Sequence, residues 1–189
     1  MYPLKPMTAA GVTAALAKAE RYRLLNEPDG AESICLDVLE IDPDNQQALI
    51  TLLLSRTDQI ALGIAGALAK AREALPRLTN DYDRAYYAGI VAERRGHAQL
   101  LAPSVGASAL AHHWFVEAMG YYQEAESLRP AGNDDALRAL ADEQCAISTP
   151  AHAERLDDAR HAHRRAAERG DGVDDDERAV LVRDPGQLL

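Results

Sequence analysis

The sequence predicts an all-α protein: a short α-solenoid of stacked helix pairs followed by a disordered acidic tail. Three observations carry this expectation. The first is a recurring pattern. Ala31-x3-Cys35-x2-Val38-x4-Pro43 returns as Ile64-x3-Leu68-x2-Ala71-x4-Pro76 and again as Ala118-x3-Tyr122-x2-Ala125-x4-Pro130. The first three positions of each run fall on one helical face. The proline that follows cannot continue the helix and biases its predecessor away from helical geometry. The second observation is a partner stripe upstream of each run: Ala15, Ala19 and Tyr22; Ala48, Leu52 and Ser55; Ala85, Gly89 and Ala92. The third is composition. Hydrophobic residues make up 47% of the chain but aromatics only 5%, which suits thin helix-on-helix packing over one large core. A repeat of roughly 34 residues made of two helices must stack on copies of itself to bury its apolar face.

Taken in order, residues 1–7 form a loose arm broken by Pro3 and Pro6, and Thr8 caps a first helix running to about Leu25. The breaker-rich Asn26-Glu27-Pro28-Asp29-Gly30 makes a turn. A second helix spans Ala31–Ile41 and stops at Asp42-Pro43-Asp44-Asn45. The third, Gln46–Thr57, is apolar nearly all round through Leu49, Ile50, Leu52, Leu53 and Leu54, so it should be the most buried element. Gly63 precedes a fourth helix, Ile64–Leu75, and Asn80 or Asp81 starts a fifth. Between the two helices of the third unit lies an insertion, His97–His113, with a turn expected at Pro103–Gly106 and both flanking helices lengthened. Asn133 caps a seventh helix, reaching about Ile147, that covers the last apolar face while Arg138, Asp142 and Glu143 stay wet. The repeat domain thus occupies residues 8–147, with units 12–45, 46–78 and 79–132 and a capping helix 133–147. Residues 148–189 form a linker, a weak helical stretch and the acidic Asp174-Asp175-Asp176-Glu177 tail, where disorder is expected.

Several of these residues together carry a resemblance. Ala85-Tyr86-Tyr87-Ala88-Gly89-x6-Gly96, Ala118-x2-Tyr121-Tyr122-x2-Ala125-x4-Pro130, and Ala19, Tyr22, Ala31 and Pro43 of the first unit resemble the tetratricopeptide repeat (TPR) family over residues 12–147. The resemblance implies a right-handed α-solenoid of antiparallel helix pairs. It also implies a concave groove, lined by the first helix of each unit, that receives a peptide. Carried over by register, the groove residues are Leu16, Glu20 and Arg23; Leu49, Leu53 and Arg56; and Tyr86, Ile90 and Arg94. The Lys/Asn set of the family's carboxylate-clamp members has no counterpart here. Three arginines, one per unit, instead suggest carboxylate recognition through paired N–H donors, on an acidic segment or a C-terminal carboxylate.

The remaining chemistry is exclusion. A formal net charge of −10 argues against nucleic-acid binding and against attraction to anionic membrane. No signal-peptide pattern or apolar run long enough for a membrane span is read. Cys35 falls on a buried face and lies far from Cys145 in sequence, so reduced thiols and a cytoplasmic location are expected. His112-His113 and His161-Ala162-His163 diverge on a helix, and H-E-x-x-H is absent, so neither metal nor cofactor is expected. Phosphate loops and nucleophile elbows are also missing. The sequence therefore reads as a non-catalytic protein–protein interaction module, an adaptor or scaffold. The alternatives are a small acidic cytoplasmic chaperone shielding a partner segment, a metal-binding or enzymatic protein using the His97–His113 insertion, and self-association.

Overall fold

The computed structural model describes residues 8–101 and 107–148, with side chains described to Gln144. The expected turn at Pro103–Gly106 and the tail beyond Ser148 lie outside the described residues. Among the described residues seven α-helices follow one another: α1 Val12–Leu24, α2 Pro28–Ile41, α3 Gln46–Ala61, α4 Ala67–Ala74, α5 Asp81–Leu101, α6 Ala107–Leu128 and α7 Asp135–Ser148. The described residues contain no strand. Each helix packs on its neighbours in sequence; α3 also packs on α1 and on α5.

Small residues set these contacts. Ala31, Cys35 and Val38 of α2 are fully buried, as are Ala118, Tyr122 and Ala125 of α6. Burial pushes the Cys35 thiol up to about 12, so Cys35 behaves as a small apolar filler. Helix α3 is the most enclosed: Ala48, Leu49, Thr51, Leu52, Leu53, Ser55, Thr57, Gln59 and Ile60 are all buried. Two of its hydroxyls are satisfied within the helix: Ser55 Oγ donates to the Thr51 carbonyl at 2.8 Å and Thr57 Oγ1 to the Leu54 carbonyl at 2.7 Å. The core runs through α1–α4 to Val91 of α5, then continues as smaller clusters along α5, α6 and α7.

Asparagine caps set the starts of α3 and α7. Asn45 Oδ1 accepts from Ala48 N at 2.9 Å and starts α3. Asn133 Oδ1 accepts from Asp135 N at 3.0 Å at the head of α7, and also from Tyr82 Oη at 3.0 Å, which ties α7 to α5. Three expectations differ. Thr8 makes no side-chain cap and precedes a 3-10 turn, Ala9–Gly11. Helix α2 begins at Pro28, not Ala31, because proline is pre-set for the first helical position. Helix α4 begins at Ala67, after Gly66 with φ of 79°. Its buried stripe is Ala67, Ala71 and Ala74, while Ile64 remains 44% exposed.

The extra length of the third unit goes into the helices themselves, with 21 residues in α5 and 22 in α6. Gly89 faces the Tyr122 ring and Gly96 the Phe115 ring so closely that a Cβ at either position would overlap ring carbons. Gly120, by contrast, has open space around its Cα. Gly89→Ala should therefore destabilise by about 1–3 kcal/mol despite the helix propensity it gains. Gly120→Ala should stabilise by up to about 1 kcal/mol. Urea unfolding of the two variants checks both signs.

Candidate ligand groove

Helices α3, α5 and α7 present facing surfaces with an open groove of about 450 Å3 between them. On α5 the spacing Tyr86, Ile90, Glu93/Arg94, His97 follows one helical face. On α7 the same holds for Asp135, Arg138/Ala139 and Asp142/Glu143. Leu54 contributes from α3 and Tyr122 from α6. A second hollow of about 240 Å3 lies beside it, lined by Arg23, Leu24, Asn26, Asp58, Ala61, Leu62 and Arg94. Arg94 borders both.

The structure places the sequence-derived groove residues unevenly. Arg23, Tyr86, Ile90 and Arg94 line one hollow or the other. Leu16 is buried, and Leu49 and Leu53 are 0% exposed; none of these three presents a surface to a ligand, which corrects their assignment. Helix α3 has neighbours on several sides, and it is Leu54 and Asp58, one turn apart, that reach the hollows. Glu20 is exposed and accepts from Gln47 Nε2 at 3.1 Å, away from either hollow.

Arg56 belongs to a different contact. Its Nε donates to Glu32 Oε1 at 3.1 Å and its Nη1 to the Lys70 carbonyl at 2.8 Å, which joins α3 to α2 and α4. Gln59 Nε2 donates to the other Glu32 oxygen at 2.5 Å. Burial raises the Glu32 pKa, but the hydrogen bonds from Gln59 and Arg56 and the charges of Arg56 and Lys70 outweigh it, and the net shift is downward. Arg23 is also paired, to Asp58 Oδ2 at 2.9 Å. Arg94 and Arg138 make no ion pair among the described residues.

Sequence reasoning missed one constellation at the α5–α7 end of the groove. Glu93 and His97 are one turn apart on α5, with His97 Nε2 3.7 Å from Glu93 Oε1. Glu143 of α7 joins them, and one ligand atom from each of the three lies within 4.8 Å of the others. Glu143 was expected on the wet face of its helix but is 4% exposed. Its Oε2 is buried with no hydrogen-bond partner. Burial first, then the charges of Glu93 and Asp142, push its carboxyl up to about 7. Tyr122 Oη donates to Glu93 Oε2 at 2.6 Å. Burial and the Glu93 charge hold that phenol above its usual range, so it remains a donor. The signal available in the sequence was the Glu93-x3-His97 spacing, which sets two ligating groups on one helical face.

Comparison with models of known protein families finds none that matches the chain, and comparison with curated proteins finds no match either.

The Glu32 network yields a measurable consequence. Because the folded-state pKa of Glu32 is depressed, its stabilising contribution is present above the unfolded value near 4.5 and is lost as pH falls below it. Glu32→Gln should lower stability by about 1–3 kcal/mol at pH 7. The difference from wild type should shrink toward pH 3, as read from paired urea titrations.

Proposed function

We propose that the protein is a non-catalytic interaction module of TPR-like build that holds a short segment of another protein in the α3–α5–α7 groove. Several features support a stack of antiparallel helix pairs. Contacts between α5 and α6 run in opposite order along the two helices: Gly89 with Tyr122, Gly96 with Phe115, and Leu100 grouped with Ala111. The first helices of successive pairs also touch, α1 with α3 and α3 with α5, and the core is divided into successive clusters rather than centred on one point. The right-handed sense of the stack is part of the same proposal and rests on the resemblance.

The observation that carries the binding role is the groove itself. Leu54, Tyr86, Ile90 and Ala139 give it an apolar surface, and Arg94 and Arg138 stand beside that surface without an acidic partner among the described residues. A segment bearing an apolar side chain next to a carboxylate would satisfy both. Of the three arginines read from the sequence this leaves Arg94, since Arg23 and Arg56 are engaged in joining helices, and it adds Arg138 of α7. The small acidic chaperone is a special case of the same groove and draws on no separate observation.

Affinity purification with mass spectrometry should identify a partner for the wild-type protein. Ile90→Glu should abolish capture of that partner. Arg94→Ala should weaken it about tenfold and reduce its salt dependence. Leu36→Ser, at an exposed site on α2, should leave it unchanged. Wild-type capture by both groove variants, with helical content intact by circular dichroism, would refute the assignment.

A further inference from the structure

We propose that Glu93, His97 and Glu143 form a binding site for a divalent transition-metal ion, with zinc as the expected occupant, in the wall of the groove. The site goes beyond the peptide-binding reading and does not depend on it.

The donor set is assembled from two helices. Glu93 and His97 come from one face of α5, and Glu143 crosses from α7. Around a tetrahedral zinc ion with bonds of about 2.0–2.2 Å, ligand atoms sit about 3.4 Å apart. The Glu93–His97 separation of 3.7 Å is close to that value. One ligand atom from each of the three residues lies within 4.8 Å of the others. An imidazole with two carboxylates favours zinc and its transition-metal neighbours over magnesium or calcium, which prefer all-oxygen cages.

An independent observation separates this cluster from ordinary surface acids. Glu143 is 4% exposed, and its Oε2 has no hydrogen-bond partner. A buried carboxylate oxygen left unsatisfied beside a second carboxylate is costly. A cation between the two removes that cost and neutralises both charges.

The surroundings also orient the donors. Glu93 Oε2 accepts from the Tyr122 hydroxyl at 2.6 Å, which leaves Oε1, the atom nearer His97, for a metal. The His97 ring meets the Phe115 ring edge-on at 5.1 Å between centroids. Hydrogen bonds to a ligand such as that from Tyr122 to Glu93 orient it, and their loss typically costs about 10–100-fold in metal affinity. Three protein ligands leave a fourth position open, and all three residues line the groove.

The test is titration of the full-length, chelator-stripped protein with zinc chloride by calorimetry, followed by cobalt(II) chloride with visible spectroscopy. Wild type should bind one equivalent of zinc and raise its melting temperature, and should develop cobalt d–d bands. His97→Ala and Glu143→Gln should each weaken binding at least tenfold and lose the cobalt spectrum; Gln keeps the shape of Glu143 and should preserve the fold. Tyr122→Phe should weaken zinc while leaving the ligands in place. Zinc binding that survives His97→Ala and Glu143→Gln at wild-type strength would place the ion on other histidines and overturn the site. So would calcium binding as tight as zinc, or no stoichiometric zinc at all.

Discussion

The constraint on which the rest of the molecule depends is the space left by two glycines. Gly89 and Gly96 lie seven residues apart on α5, and the rings they admit, Tyr122 and Phe115, lie seven residues apart on α6. Each ring fills the gap where a Cβ would stand, so the two longest helices lock at one register and one close distance. That register has a consequence at the groove. Tyr122 is 0% exposed, yet its hydroxyl emerges beside Glu93. Its ring also meets Tyr86 at 5.8 Å. The packing that stabilises the helix pair therefore also orients a groove carboxylate and a groove aromatic.

Helix α3 supplies the complementary wall by a different balance. Most of its surface is consumed by neighbours, and its charged residues are used to fasten them. Arg56 and Glu32, at 12% and 13% side-chain exposure, form a partly buried pair whose remaining hydrogen bonds go to Gln59 and to the Lys70 carbonyl. A pair so nearly satisfied offsets much of its desolvation and would lose heavily if either member were removed. Arg23 with Asp58 does the same between α1 and α3. Arginines recurring at similar helical positions thus divide by their neighbours: two act as clasps, and Arg94 remains turned to the hollows.

Much of the fold was legible because its signal is short-range and repeated. Ala31, Cys35 and Val38, and Ala118, Tyr122 and Ala125, read as buried stripes from spacing and proline alone, and they are buried. The second unit misled because Ile64 mimics the first position of the pattern while Gly66, in the left-handed region, delays the helix by three residues. The groove was less legible. In α3 the run Leu49–Leu54 is apolar at nearly every position, so hydrophobicity cannot say which side faces a ligand; burial on several sides selects Leu54. Glu143 was illegible for a deeper reason. Besides Asp142 of its own helix, its environment includes Glu93 and Tyr122, residues of two other helices, and no local pattern in α7 encodes their approach.

The distribution of charge along the groove restricts how an acidic segment could lie in it. Glu93, Glu143 and Asp142 gather toward the α7 side, whereas Arg94 stands where the larger hollow meets the smaller one. On the proposed reading, a carboxylate on the ligand is attracted to Arg94 and Arg138 and repelled from the end where Glu93, Asp142 and Glu143 gather. A divalent ion held by Glu93, His97 and Glu143 would cancel two of the repelling charges at that end. Binding of the ion and of an acidic segment would then favour each other, and by linkage the factor must be the same whichever binds first. A segment without a carboxylate would feel little of this coupling, because charge is what would join the two events.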